Sequence, residues 1–355
     1  MNISLLKELT EAHGVPGQED AIRAIVYREL KDICEISTDY LGNVICRKAP
    51  TDGTSNPKKL MLAAHMDEIG FVVKYVDDKG FLRIHPVGGW DPRMMAAQRV
   101  IVHTSEGPRH GLMMLGTKPK HMLDAAEAAK APKHEDYFID AGLSGEEAKK
   151  LVKIGDQVTM DRGFQQMGDL FTCKAMDDRV AVFVMIEAMK AAKSHSVEIL
   201  GVATVQEEIG LRGATAAGSG LKPDICVAID ITLANDFPGI PAEFSVTKLG
   251  DGTAIKFMDS SLICHPKVVS HFRDLAEKNG IKYQVELLPA GGTDAGGVQR
   301  LNGGVPSFTL SIPTRYVHTV NETVHKDDVQ ASIDVLARYI EDAHNGDYTY
   351  AIPGR

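Results

Sequence analysis

Cysteine is scarce and unpatterned in this 355-residue chain: Cys34, Cys46, Cys173, Cys226 and Cys264 are odd in number, scattered, and form no C-x-x-C pair. That argues against a structural zinc knuckle or a disulfide framework and predicts a reducing, cytoplasmic setting. Long basic runs are missing, and the formal net charge is −9. Phosphate binding needs clustered Lys and Arg, so no nucleic-acid partner is expected. No apolar run reaches the roughly 18 residues of a membrane helix, so no membrane partner is expected either. The opening segment MNISLLKELTEAHG lacks the basic region, long apolar stretch and small-residue cleavage site of an export signal. Its Ile3, Leu6 and Leu9 recur at near-helical spacing, which predicts a short amphipathic helix. Internal repeats, low-complexity tracts, the serine-hydrolase elbow G-x-S-x-G and the P-loop G-x-x-x-x-G-K-[ST] are absent too.

What is present is an ordinary globular composition, 44% hydrophobic and 25% charged, enough for a sizeable core. The length predicts two domains. Two textures divide the chain. In residues 1–69 and 163–355, short apolar runs (KKLMLAAH, VEILGVATVQEE, DICVAIDI) alternate with helical patterns such as RVAVFVMIEAMKAAK. This predicts a discontinuous α/β catalytic domain with a mostly parallel central sheet flanked by helices. Residues 70–162 read as an inserted small antiparallel β-barrel domain. Within them GFVVKYVDDKGFLRIHPVGG alternates around an Asp-Asp-Lys-Gly turn, and QRVIVHTSEGPRHGLMML forms a second hairpin pattern. The basic, His-containing stretch 118–136 reads as a flexible loop, an interface element or a wall of the pocket, of which an interface element is the first choice.

In open α/β sheets ligands bind beyond the carboxyl ends of the strands. After Leu60–Ala64 come His65 and Asp67; after Phe171–Met176 come Asp177 and Asp178; after Ile199–Val205 come Glu207 and Glu208. Asp230 follows Ile225–Ile229, and His318 follows the run ending at Ile312. One strand-end carboxylate is ordinarily a helix cap or a solvated rim residue, and Asp177 alone could simply cap the next helix. Two imidazoles and several carboxylates at the same kind of position point to divalent metal. With no thiolate among them they suit zinc, cobalt or manganese. A cation relieves the repulsion among the carboxylates, and five protein ligands match the needs of two ions sharing a bridging carboxylate. Asp67, two residues from His65 in extended chain, is placed to orient its ring. Glu207 and Glu208 cannot point the same way from a strand. One ligates and the other is free to act as a general base, and spacing alone does not choose between them. Paired carboxylates also suit a glycosidase, but here they travel with histidines. GGTDAGG is either a tight turn or a close backbone approach to substrate.

The segments AAHMDEIGF, KAMDDR, VQEEIGLRGA, AIDI, GGTDAGG and SIPTRYVHT resemble, in order, those of the dinuclear-metal aminopeptidases that include glutamyl aminopeptidase and the tetrahedral (TET) aminopeptidases. The resemblance implies a zinc-peptidase-like α/β fold with an inserted β domain used for dimerisation. It implies two divalent ions per subunit, short peptide substrates, and a homo-oligomer built from dimers into a tetrahedral dodecamer. Residue by residue it implies that Asp177 bridges the metals. His65 and Asp230 would complete one site and Glu208 and His318 the other, with Glu207 as general base and Asp67 orienting His65. Relatives of glutamyl aminopeptidase carry a basic residue after GDGT; in GDGTAIKF that residue is Lys256. This implies a substrate-binding role for Lys256 and a preference for acidic N-terminal residues; the plainer reading, a solvent-facing strand lysine, stands beside it, and leucyl-type selectivity stays open. The rival functions are an acyl-amino-acid deacylase or deblocking peptidase and, outside catalysis, a silent subunit or glycan-binding module.

Overall fold

The computed structural model describes residues 1–352. Its strands are β1 (Glu35–Thr38), β2 (Val44–Lys48), β3 (Lys59–His65), β4 (Gly70–Val76), β5 (Leu82–Val87), β6 (Gln98–Thr104), β7 (Gly107–Leu115), β8 (Tyr137–Asp140) and β9 (Gln157–Met160). There follow β10 (Gln165–Met167), β11 (Leu170–Cys173), β12 (Glu198–Thr204), β13 (Ile225–Leu233), β14 (Thr253–Met258), β15 (Tyr283–Leu287), β16 (Ser307–Arg315) and β17 (Glu322–His325). Two sheets result. One runs β1-β2-β12-β3-β13-β16-β17-β11-β10, with β14 pairing β16 and β15; the other is a closed antiparallel barrel, β4-β5-β8-β7-β6-β9.

The parallel part of the large sheet is its centre, where β12, β3, β13 and β16 run together. Outside it the pairing is largely antiparallel, because short hairpins such as β1–β2 and β10–β11 extend the edges. The sheet is therefore mixed, with the expected parallel strands at its centre. Alternation along β3 explains its burial on both faces. Leu60, Leu62 and Ala64 enter the larger core with helices Ile3–Glu11, Asp20–Leu30, Met176–Ala191, Pro266–Asn279 and Lys326–Asp342, while Met61 and Ala63 pack with Ala214, Ala217 and Val298 on the other face. Helix Met176–Ala191 is apolar nearly all round because it lies inside this core, against the sheet and beneath helices Ile3–Glu11 and Lys326–Asp342.

The barrel has its own core around Phe71, Leu82, Val100 and Ile139. Its first turn is held by the Asp77 carboxylate, which accepts from Lys79 N at 2.8 Å and Phe81 N at 2.9 Å. Residues 118–136 form short helical turns that are largely exposed. No helix of the described residues is long and apolar enough to cross a membrane.

One buried cation ties the N-terminal segment to the sheet and to the central helix. Arg179, 0% exposed, donates to the carbonyls of Met66 (2.6 Å), Leu9 (2.8 Å) and Ala12 (2.8 Å) and lies 3.5 Å from Glu68. Glu68 in turn receives Lys174 at 2.8 Å. Removing one member of such a buried set leaves uncompensated charge and orphaned carbonyls, worth about 3–5 kcal/mol. Arg179→Met is therefore expected to lower unfolding stability by that order, read from denaturant midpoints. An unchanged midpoint would contradict the network's importance.

Candidate active site

Because β12, β3, β13 and β16 are parallel, their carboxyl ends share one rim. His65 is the last residue of β3, and Asp230 lies in the carboxyl half of β13. Glu207 and Glu208 occupy the turn after β12, His318 the loop after β16, and Asp177 and Asp178 the start of helix Met176–Ala191. His65, Asp177, Glu207, Glu208, Asp230 and His318 all line one cleft of about 510 Å³.

The distances divide these residues into two overlapping groups. Ligand atoms of His65, Asp177, Asp178 and Asp230 all lie within 4.8 Å of one another, and so do those of Asp177, Glu208 and His318. Asp177 is common to both. Its Oδ1 stands 3.2 Å from His65 Nε2 and its Oδ2 3.4 Å from His318 Nε2. The adjacent glutamates diverge: Glu207 Oε2 is 3.9 Å from His65 Nε2, and Glu208 Oε1 is 3.4 Å from His318 Nε2.

The loops carrying these groups are held in unusual backbone conformations. Ala175, Gln206, Leu211, Tyr316 and His318 all have positive φ without being glycine, as fits segments bent to aim side chains into a cleft. The segment after β5 comes close to two of these groups at Gly88 and Gly89. A Cβ at Gly88, where φ is +83°, would lie 3.3 Å from Glu208 Oε2, and one at Gly89 would lie 3.1 Å from the His318 ring. Larger residues there would press on these two groups.

Asp67 meets the His65 ring, mainly through its backbone. Its backbone carbonyl meets His65 Nδ1 at 3.0 Å, while its carboxylate Oδ1 is 3.6 Å away. The carboxylate instead accepts from Glu207 N at 3.0 Å and Glu208 N at 3.1 Å. Strand β3 ends at His65, so the extended spacing that would aim Asp67 at the ring is lost, and the turn after β12 claims the carboxylate.

Lys256 requires a larger correction. It is 0% exposed, does not line the cleft, and pairs with Glu286 at 2.6 Å. A basic pocket end for acidic side chains is not formed, because a buried carboxylate on the next strand already uses the ammonium.

Two groups were not assigned from sequence. Asp178 Oδ2 accepts from His65 N at 3.2 Å, and its Oδ1 has no hydrogen-bond partner among the described residues. Glu322, 1% exposed, accepts from Asp177 N at 2.9 Å and His318 N at 2.8 Å. Nothing in the NETVH segment signals the second role, since it depends on the chain returning beside β11.

Electrostatics test whether this donor set suits cations. Burial raises Glu207, Glu208, Asp178 and Asp230, with neighbouring carboxylates adding to the rise. Asp177 is the exception: burial opposes its charge, but hydrogen bonds from His318 and His65 outweigh it and hold the carboxyl far below the usual range. His318 moves the other way, with burial overcome by Asp177 and Glu208 to reach about 12. A buried rim that forces protons onto carboxylates and imidazoles is one that divalent ions would satisfy. The unpartnered Asp178 Oδ1 and Glu208 Oε1 point the same way, so the residues fit a metal site.

Comparison with known proteins agrees with the geometry. The family described as M42 glutamyl aminopeptidase matches residues 42–335. A putative aminopeptidase of Acetivibrio thermocellus is 40% identical over 95% of this chain and 97% of its own. The aminopeptidase APDkam598 of the archaeon Desulfurococcus kamchatkensis superposes with a TM-score of 0.91 at 39% identity, covering 96% of this chain and 94% of that one. The TET1 peptidase of Pyrococcus horikoshii, described as assembling into a tetrahedron or a large octahedral shell, superposes at 0.84 with 31% identity over 95% and 98% of the two chains.

Glu322→Ala would orphan two buried N–H groups at once, at about 1–3 kcal/mol each. The expected outcome is a clear loss of stability in denaturant unfolding together with weakened metal retention. Unchanged values of both would show that Glu322 does not hold the Asp177 and His318 backbones.

Proposed function

The chain belongs to the M42 glutamyl aminopeptidase family, and within it we propose that His65, Asp177, Glu208, Asp230 and His318 hold two divalent ions for removal of N-terminal residues from short peptides. The observation that carries this is the pair of ligand groups sharing Asp177. His65 and Asp230 complete one group, with Asp178 beside them, and Glu208 and His318 complete the other. Zinc and cobalt suit two imidazoles among carboxylates, and manganese is the third choice.

When bound, two such ions polarise the scissile carbonyl and lower the pKa of the attacking water. The chain's own residues do the rest. Glu207 faces the cleft from the turn after β12, on the His65 side, and serves as general base: its carboxylate takes the water's proton and delivers it to the leaving amine. Asp67 fixes the backbone of Glu207 and Glu208 with its carboxylate and the His65 ring with its carbonyl. Glu322 fixes the backbone of Asp177 and His318.

Residues 70–162 act in this reading as the assembly domain of a cytoplasmic homo-oligomer, with dimers joining into a tetrahedral dodecamer. Leu112 and Met114, 50% and 40% exposed on β7, give the barrel an apolar outer stripe suited to self-association.

The test is hydrolysis of free and N-acetylated peptide anilides by chelated protein, before and after addition of zinc, cobalt or manganese. Metal-restored cleavage of the free peptide alone is expected. Cleavage of the acetylated peptide would favour a deacylase or deblocking enzyme. Glu207→Gln should retain metal and lose about 10²-fold or more in kcat; full activity in that variant would remove Glu207 as the base.

A further inference from the structure

Behind one wall of the cleft lies a buried charge cluster that the reaction does not use. Lys256 on β14 and Glu286 on β15 are register partners, and Lys256 Nζ donates to Glu286 Oε1 at 2.6 Å. Asp259, just past β14, lies 3.7 Å from the same ammonium. All three are at most 2% exposed. Two threonines separate them from the cleft, which both line. Thr232 Oγ1 donates to Glu286 Oε1 at 2.6 Å, and Thr293 Oγ1 donates to Asp259 Oδ2 at 3.2 Å. The remaining wall at this end is apolar, with Ile231, Leu233, Leu288 and Val317.

This arrangement constrains what the cleft can hold. The ammonium is used up between two carboxylates, so it offers nothing to an acidic side chain. One positive and two negative groups leave negative charge in excess behind the wall, which repels an acidic guest. The same excess attracts a cationic guest, but it offers that guest no direct partner. Glu286 and Asp259 do not line the cleft, and the threonine hydroxyls in front of them already donate inward. A lysyl ammonium would shed water without gaining a direct carboxylate partner. An alkyl side chain meets Ile231, Leu233, Leu288 and Val317 and loses nothing.

We propose that this end of the cleft receives the N-terminal side chain of the substrate and selects uncharged, apolar ones, with Glu286 neutralising Lys256. The inference rests on the aminopeptidase reading. Lys256 is then a specificity-determining residue by virtue of being silenced, and Glu286 is the group that silences it.

The experiment compares kcat/KM of the metal-loaded full chain on leucyl-, glutamyl- and lysyl-anilides. Leucyl is expected to exceed both others by about tenfold or more, as a buried unpaired charge should cost. A glutamyl or lysyl preference overturns the inference while leaving the aminopeptidase reading intact. No hydrolysis of any of the three, in folded and metal-loaded protein, removes that reading and this inference with it. Glu286→Gln keeps the shape and removes one of the two negative charges facing the ammonium, leaving Asp259 alone against it; it is expected to raise the glutamyl-to-leucyl ratio about fivefold or more. A ratio unchanged in a variant that folds and still cleaves the leucyl substrate would overturn the role assigned to the Lys256–Glu286 pair. The wild-type comparison decides the selectivity even if that variant fails to fold.

Discussion

Five carboxylates, of Asp177, Asp178, Glu207, Glu208 and Asp230, and the imidazoles of His65 and His318 meet at the rim of one sheet, and most of them are buried. Around Asp177 the ligand atoms of His65, Asp178 and Asp230 on one side, and of Glu208 and His318 on the other, fall within 4.8 Å of each other. So much like charge out of water is unfavourable unless cations enter it, and the directions of the protonation shifts around Asp177 express that strain. Much of the architecture serves to keep these groups together. Asp67 and Glu322 each spend a whole carboxylate on two backbone N–H groups of the site. Arg179 pins Met66, next to His65, to the carbonyls of the N-terminal segment. The segment after β5 brings two glycines close to Glu208 and His318.

These supports explain why a site assembled from distant parts of the sequence can be sharply defined. The parallel centre of the sheet supplies the common rim, helix Met176–Ala191 supplies Asp177 from inside the core, and the buried ion pairs lock the loops between them. The same economy appears behind another wall of the cleft, where Lys256 serves structure and, on the inference above, selectivity by exclusion. Burial decides the meaning of a charged residue here: exposed to the cleft, Lys256 would attract acidic side chains, whereas paired with Glu286 it leaves the wall apolar.

The large features were legible in the sequence because they rest on periodicity and on strand ends. Short apolar runs alternating with helical patterns revealed the α/β layers, and alternation around turn residues revealed the barrel. The residues following five of those runs are the groups that meet in the cleft. What was not legible depends on side chains meeting across the fold. The sheet is mixed because its edge hairpins pair antiparallel, a register that no single segment discloses. Asp67 was matched to His65 through an extended spacing that ends with β3, so its carboxylate was free for the turn at Glu207. Lys256 was read without Glu286, which lies 30 residues later and beside it only in the sheet. Glu322 looks like any strand glutamate until β17 is set against β11.

The central claim is that Asp177 joins two cation sites into one centre. The most direct test is the number of divalent ions bound per chain at saturation, measured on the wild type and on Asp177→Asn. The account expects two per chain in the wild type and loss of at least one in the folded variant, since the shared carboxylate serves both ligand groups. One ion in the wild type, or two still held by the variant, would contradict it.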